Sequence, residues 1–130
     1  MALDAFGRPV ADAPVTVESL TVEPEIRDIA EVPAVELINT VAVHLMSAAA
    51  VKLGLGDGPD ARDEIDLDEA RKLITALAGL VTAAAPEISD SHARPLRDGL
   101  RSLQLAFRET SPIPDAIGAG PGEKYTGPVS

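Results

Sequence analysis

An acidic run from Asp57 to Glu69 is the densest group of chemically active side chains in the sequence. Its carboxylates are the oxygen ligands that Ca²⁺ and Mg²⁺ prefer. A helix-loop-helix calcium site needs oxygen ligands at its first, third and fifth positions and glycine at its sixth. A loop starting at Asp57 has Pro59 third and Arg62 sixth. Because acids ahead of a helix also favour its dipole, we predict a solvated loop and no metal site.

The two histidines, His44 and His92, could act as acids, bases or metal ligands near neutral pH. Neither has a second histidine at ligand spacing, and the chain has no cysteine. The stretch GLGDGPD has the glycines of a phosphate-binding loop, but it lacks the lysine and is acidic. The sequence therefore predicts no catalytic residue, no cofactor and a protein that is not an enzyme.

Four arginines lie on one side of the last predicted helix and could bind RNA phosphate or an acidic protein. The alternative is a solvated face that pairs with this chain's own acids. Residues 94–110 sum to only +2 against −10 for the chain, which favours the alternative. Tyr125, in GEKYTGP, either belongs to a recognition segment or is incidental. The predicted partner-binding residues are Arg94, Arg97, Arg101, Arg108 and Tyr125.

Composition limits the class of protein. The 130 residues include 11 Lys and Arg against 21 Asp and Glu, a balance that weighs against nucleic acid as a partner. Aromatic residues make up 2%, which favours closely packed aliphatic helices over a β-sandwich or barrel. The first residues lack the basic start and apolar run of a signal peptide, and the absence of cysteine suits a reducing compartment. We predict an all-α, cytoplasmic protein.

Three helices are predicted from apolar residues at helical spacing. The first begins at Pro33 and ends at Gly54. The second follows Asp66, whose spacing to Glu69 is that of a capping box. The third begins near residues 89–91 and has an apolar seam. That seam consists of Leu96, Leu100, Leu103 and Phe107.

The first helix is apolar on nearly every side apart from a narrow polar strip that includes His44. It is long enough to cross a membrane, but Glu36 and Lys52 would be costly there, so we predict burial in protein and no membrane partner. Two neighbouring helices would leave part of its apolar surface exposed, and a second copy could cover it. We therefore predict a homo-oligomer. The predicted self-association residues are Ile38, Val41, Ala42, Leu45 and Ala49.

The chain ends differ in composition from its middle. The beginning is rich in Pro and Asp without periodicity, and the end is rich in Pro and Gly with too few apolar residues to fold alone. The predicted boundaries are a disordered arm at 1–23, a short helix at 24–32, a three-helix domain at 33–110 and a disordered tail at 111–130.

The order of the helix VAVHLMSAAAVKLGL, an acidic loop, the helix start DLDEARKLITAL and the helix end LRDGLRSLQLAFRE resembles a bacterial family, domain of unknown function 1844. The chain is most similar to members from high-GC Gram-positive bacteria, whose tails resemble GPGEKYTGPV. The resemblance implies a short helical domain and a cytosolic bacterial protein, with no catalytic residues to carry over. Because some relatives are encoded near genes for translation initiation and ribosomal proteins, it also points to translation.

Two functions follow from these patterns. The first is a non-enzymatic interaction or scaffold module that self-associates and has a protein partner. The second is a translation-associated or RNA-proximal accessory factor that uses the arginines of the last helix.

Overall fold

The computed structural model describes residues 31–130, which contain helices and no strand. The all-α prediction is confirmed. The predicted arm and most of the predicted helix at 24–32 lie outside the described residues. The helices are α1 (Ala34–Lys52), α2 (Leu67–Ala84), α3 (Asp90–Thr110) and the short α4 (Glu123–Thr126), and 3-10 turns at Ala61–Glu64 and Ala85–Glu87 precede and follow α2.

The predicted start of α2 forms in part. The Asp66 carboxylate accepts a hydrogen bond from the Glu69 backbone N–H at 3.2 Å, as in a capping box. The Glu69 carboxylate does not return the bond and instead accepts one from the Lys72 ammonium at 2.6 Å. The Asp66 N–H donates instead to the Lys52 carbonyl at the end of α1. The bond to Glu69 raises the pKa of Lys72.

Helices α2 and α3 form most of the core. Both are amphipathic, and each turns one apolar side toward the other. The predicted apolar seam of α3 is buried, as expected. The buried residues of α2 are Ala70, Ile74, Leu77, Ala78, Val81 and Ala84, and those of α3 are Ala93, Leu96, Leu100, Leu103, Gln104 and Phe107.

Helix α1 is the most apolar of the long helices and the least buried. Its fully buried residues are Ala42 and Ala49, followed by Leu53 just after its end, and the half-buried Leu45, Met46 and Ala50 pack against the core. Its Met46 side chain lies over Gly99 of α3, so close that a Cβ at Gly99 would be 2.9 Å from the Met46 sulfur. The contact of α1 with the core therefore depends on small side chains.

The chain divides into two units, Met1–Leu37 and Ile38–Ser130. All buried core residues belong to the second unit.

The C-terminal segment, residues 111–130, differs from the prediction of a disordered tail. Pro121, Gly122 and Glu123 are buried, although the segment has few large apolar residues. It is held by hydrogen bonds rather than by an apolar core of its own. The Arg71 guanidinium donates to both carboxylate oxygens of Asp115 at 2.9 and 3.0 Å and to the Ala119 carbonyl.

Two buried polar side chains complete the docking of this segment. The Gln104 amide, 3% exposed, donates to the Pro121 carbonyl and the Thr126 hydroxyl, both at 3.1 Å. The Glu123 carboxylate, 7% exposed, accepts from the backbone N–H groups of Gly120 and Val129 at 2.8 and 2.9 Å. These bonds supply the partners that buried polar groups require.

Gly122 allows the segment to approach α2. Its φ of +76° is in the left-handed region, where a side chain is strained. A Cβ at this position would also lie 2.7 Å from the Ala78 Cβ. This contact was not predictable from the sequence, because a glycine-rich stretch is also typical of a flexible tail.

Candidate interaction surfaces

An exposed apolar face runs along α1 on the side away from the core. It consists of the apolar Val41, Ala48, Val51 and Leu55 together with His44 from the edge of the polar strip. All five are exposed and none is permanently charged, and we call this surface the α1 face. Steps of three, four, three and four residues keep its members within about 80° of arc on a helix. Leu55, which is 58% exposed, continues the face past the helix end.

The residues predicted for self-association divide between two sides of α1. Ala42 and Ala49 are fully buried against the helices of their own chain, so their side chains are not accessible at the surface. Ile38 and Leu45 are half-buried, and Val41 is exposed. The exposed apolar side of α1 is therefore rotated around the helix axis from the side predicted for self-association.

Within residues 31–130, α1 is the one helix whose length and apolar composition would allow it to cross a membrane. Length and composition are weak evidence, since a core helix of a soluble protein has the same properties. The mean hydropathy of this stretch is 1.6, and 11% of it is buried.

The predicted arginines contact acids and carbonyls of their own chain. Arg94 forms an ion pair with Asp90 at 2.8 Å, and Arg97 approaches the same carboxylate at 3.7 Å. Arg101 donates to the Ser130 carbonyl, and Arg108 donates to the Val129 carbonyl. These contacts agree with the interpretation of a face that pairs within the chain, although the partners differ from those expected.

Two of these arginines and Tyr125 nevertheless meet at one cavity. A groove of about 400 Å³ lies between the end of α2, the side of α3 and the C-terminal segment, and we call it the arginine groove. Val81 and Leu100 contribute an apolar lining, and the exposed Arg97 and Arg101 line the α3 side. The remaining lining residues are Thr82, Ala85, Pro86, Gln104, Tyr125, Thr126 and Val129.

Tyr125 is fixed by packing rather than free in a flexible segment. Its ring lies over Gly79 of α2, where a Cβ would be 3.4 Å from the ring carbon Cζ. The side chain remains 45% exposed. A large aromatic surface that is fixed and partly exposed is typical of protein interfaces.

A second cavity, of about 390 Å³, lies under the C-terminal segment. Its polar lining includes Asp115 and Glu123, which are engaged by Arg71 and by backbone N–H groups. These side chains hold the segment in place, so we assign this cavity a structural role.

The other chemically active residues form no site in the described part of the chain. No group of three or more His, Asp or Glu side chains that could hold a metal ion occurs within residues 31–130. His44 lies on the α1 face. His92 Nδ1 is 2.9 Å from the Ser89 hydroxyl at the exposed start of α3.

Sequence reasoning overlooked Arg71, Gln104 and Glu123, which position the C-terminal segment. Gln104 carried a signal, because it is a polar residue one helical turn after Leu100 on the buried side of α3. Arg71 carried none, since its partner Asp115 is 44 residues away, and Glu123 carried none because charged residues in a glycine-rich stretch are usually exposed.

Residues 31–130 are therefore all-α and carry two surface features, the exposed α1 face and the arginine groove. The model of one family, Domain of unknown function (DUF1844), matches residues 34–109, which is more than half of the chain. The chain belongs to this family. Comparisons with curated proteins and with solved structures gave no match.

Proposed function

We propose that the protein is a non-enzymatic, cytoplasmic interaction module that self-associates through the α1 face. The observation that carries this proposal is the exposure of Val41, Val51 and Leu55 on one side of a helix whose opposite side is buried. Large apolar residues that are exposed together mark interaction surfaces.

The distribution of charge makes the α1 face the surface through which a second copy can approach. The chain has a net charge of −10, so two copies repel each other over most of their surface. The α1 face has no permanent charge, and it lets two copies approach without placing like charges opposite each other.

The order of side chains favours an antiparallel pair of α1 helices. If the two-fold axis passes at the level of Met46, Val41 lies opposite Val51 of the second copy and the bulky His44 lies opposite the small Ala48. A parallel pair would place His44 against His44 and leave a gap between two alanines. Alternation of large and small side chains across a helix pair gives the better packing.

The contact is small, since α1 has 19 residues and is about 28 Å long. Such an interface is typical of weak, reversible association. Sedimentation velocity from low to high micromolar concentration is expected to show a monomer converting to a dimer. A compact monomer at the highest concentration would refute the proposal.

Cysteine cross-linking tests the orientation, because the natural chain has no cysteine. We expect a mixture of Val41→Cys and Val51→Cys proteins to oxidise mainly to mixed disulfide dimers, and each variant alone to cross-link slowly. Fast cross-linking of each variant with itself would indicate a parallel pair. Ser47→Cys, on the adjoining polar strip, is the matched control.

The alternative of a translation-associated or RNA-proximal factor has less support. Arg94 is paired with Asp90, and a net charge of −10 opposes binding of a polyanion. Salt-sensitive binding to ribosomes that weakens in Arg97→Glu and Arg101→Glu variants would favour this alternative. A relationship to members from high-GC Gram-positive bacteria likewise remains a prediction.

A further inference from the structure

We propose that the arginine groove binds a short acidic peptide segment that carries a large apolar side chain. The site is distinct from the α1 face and does not depend on self-association. Its occupant is defined by the charge, lining and volume of the groove.

The charge of the groove is opposite to that of the protein. Among the described residues that line it, two are arginines and none is acidic, although acids outnumber basic residues almost two to one in the chain. Arg97 and Arg101 are one helical turn apart, so both guanidiniums reach the same part of the groove. A carboxylate there would make charge-assisted hydrogen bonds.

The existing contacts of these arginines leave donors for a ligand. A guanidinium has five N–H donors. Arg101 uses one NH₂ group for the Ser130 carbonyl, and Arg97 makes only a loose ion pair with Asp90 at 3.7 Å. The Arg97 side chain is 55% exposed.

The lining requires an apolar group beside the carboxylate. Val81 and Leu100 are buried in the core and also line the groove, with Pro86 and Val129 nearby. A volume of about 400 Å³ lies within the range of small ligand sites and accommodates one large side chain together with a carboxylate. Tyr125 supplies the fixed aromatic surface that peptide-binding interfaces use.

A peptide fits these features better than RNA does. Phosphates would contact the arginines but leave the apolar lining unfilled. A long polyanion would also experience repulsion from the rest of this acidic chain, whereas a segment with one or two carboxylates experiences far less.

Selection from a phage-displayed library of random peptides tests the proposal, with the full chain as the target. We expect enriched peptides to place Asp or Glu beside Leu, Ile, Met or Phe. The affinity of one enriched peptide, measured by fluorescence anisotropy, should fall at least about tenfold for the Arg97→Gln, Arg101→Gln double variant, because charge-assisted hydrogen bonds are lost.

Two further variants separate the groove from general charge effects. Thr82→Glu places a carboxylate inside the groove at an exposed position and should weaken binding to a similar extent. Arg94→Gln removes an arginine of the same helix that does not line the groove, and it should change affinity by less than about twofold. Far-UV circular dichroism of each variant verifies that the helices are intact.

Several outcomes would overturn the proposal. These are a lack of enrichment, enrichment of peptides without acidic residues, and equal binding of an enriched peptide to the double variant. Binding of poly(U) RNA that disappears in the double variant, with no peptide enriched, would assign the arginines to RNA instead. Because α1 is unaltered in all these variants, the results are independent of whether the protein dimerises.

Discussion

Helix α1 and the C-terminal segment show opposite relations between composition and burial. Helix α1 is the most apolar of the long helices, yet its buried residues are Ala42 and Ala49. The C-terminal segment is rich in Pro, Gly and charged residues, yet it buries Pro121, Gly122 and Glu123. Close backbone approach and satisfied hydrogen bonds therefore determine burial in the segment, while much of the apolar surface of α1 stays exposed.

The largest expected effect on stability is that of Gly122→Ala. It combines strain at a positive φ with a Cβ placed 2.7 Å from Ala78. We expect a loss of roughly 2–4 kcal/mol in the free energy of unfolding measured with urea, and faster proteolysis of the segment. The control is Gly118→Ala, which has a φ of +83° and whose added Cβ would meet only Pro128 Cγ, at an ordinary contact distance of 3.9 Å. Equal losses in both variants would show that close packing at Gly122 is unimportant.

Glu123→Gln tests the hydrogen bonds that hold the segment. A glutamine amide has one oxygen, so it cannot accept from the N–H groups of both Gly120 and Val129 in the same geometry. The expected loss is about 1–3 kcal/mol, the cost of an unsatisfied buried donor. Glu109→Gln, at an exposed position of α3, should leave the urea midpoint unchanged. An unchanged midpoint for Glu123→Gln as well would mean that the segment is held by other contacts.

Gly99→Ala tests how tightly α1 is held. The added methyl group would meet the flexible end of Met46, which can move aside. Alanine also favours the helix by up to about 1 kcal/mol relative to glycine. We expect the free energy of unfolding to change by less than about 1 kcal/mol in either direction. A loss as large as that of Gly122→Ala would show that α1 and the segment are packed equally tightly.

Ala48→Glu should have the smallest effect on stability and a specific effect on association. Ala48 is exposed, so unfolding of the dilute monomer should change by less than about 0.5 kcal/mol. Two buried glutamates opposite His44 would, however, disfavour the antiparallel pair, and sedimentation should show a monomer at high concentration. Ser47→Glu, on the polar strip, should still dimerise. Dimerisation of Ala48→Glu would exclude the α1 face as the interface.

Local signals in the sequence were sufficient to predict the three long helices. Pro33, Asp66 and the apolar spacing of α3 predicted elements close to the observed ones, because caps and periodicity depend on neighbouring residues. The orientation of α1 was not predictable, since a helix that is apolar on most sides does not reveal which side meets the core. The side with Ala42 and Ala49 was assigned to a second copy, whereas its small residues allow close packing within the chain.

The docking of the C-terminal segment and the arginine groove depended on contacts between distant residues. Arg97, Arg101 and Tyr125 were each identified as candidates, but the groove forms only because Gly79 and Gly122 let the segment lie against α2. A glycine that permits close approach and a glycine in a flexible linker are indistinguishable in a single sequence.

The shallow contact of Met46 on Gly99 has a consequence for the order in which the molecule opens. Local opening requires least free energy where few buried contacts must be broken. Helix α1 can therefore separate transiently from the core while α2, α3 and the hydrogen-bonded C-terminal segment stay folded. Amide hydrogens of α1 would then exchange with solvent ahead of those of α2 and α3, so the most apolar of the long helices is also the easiest to release.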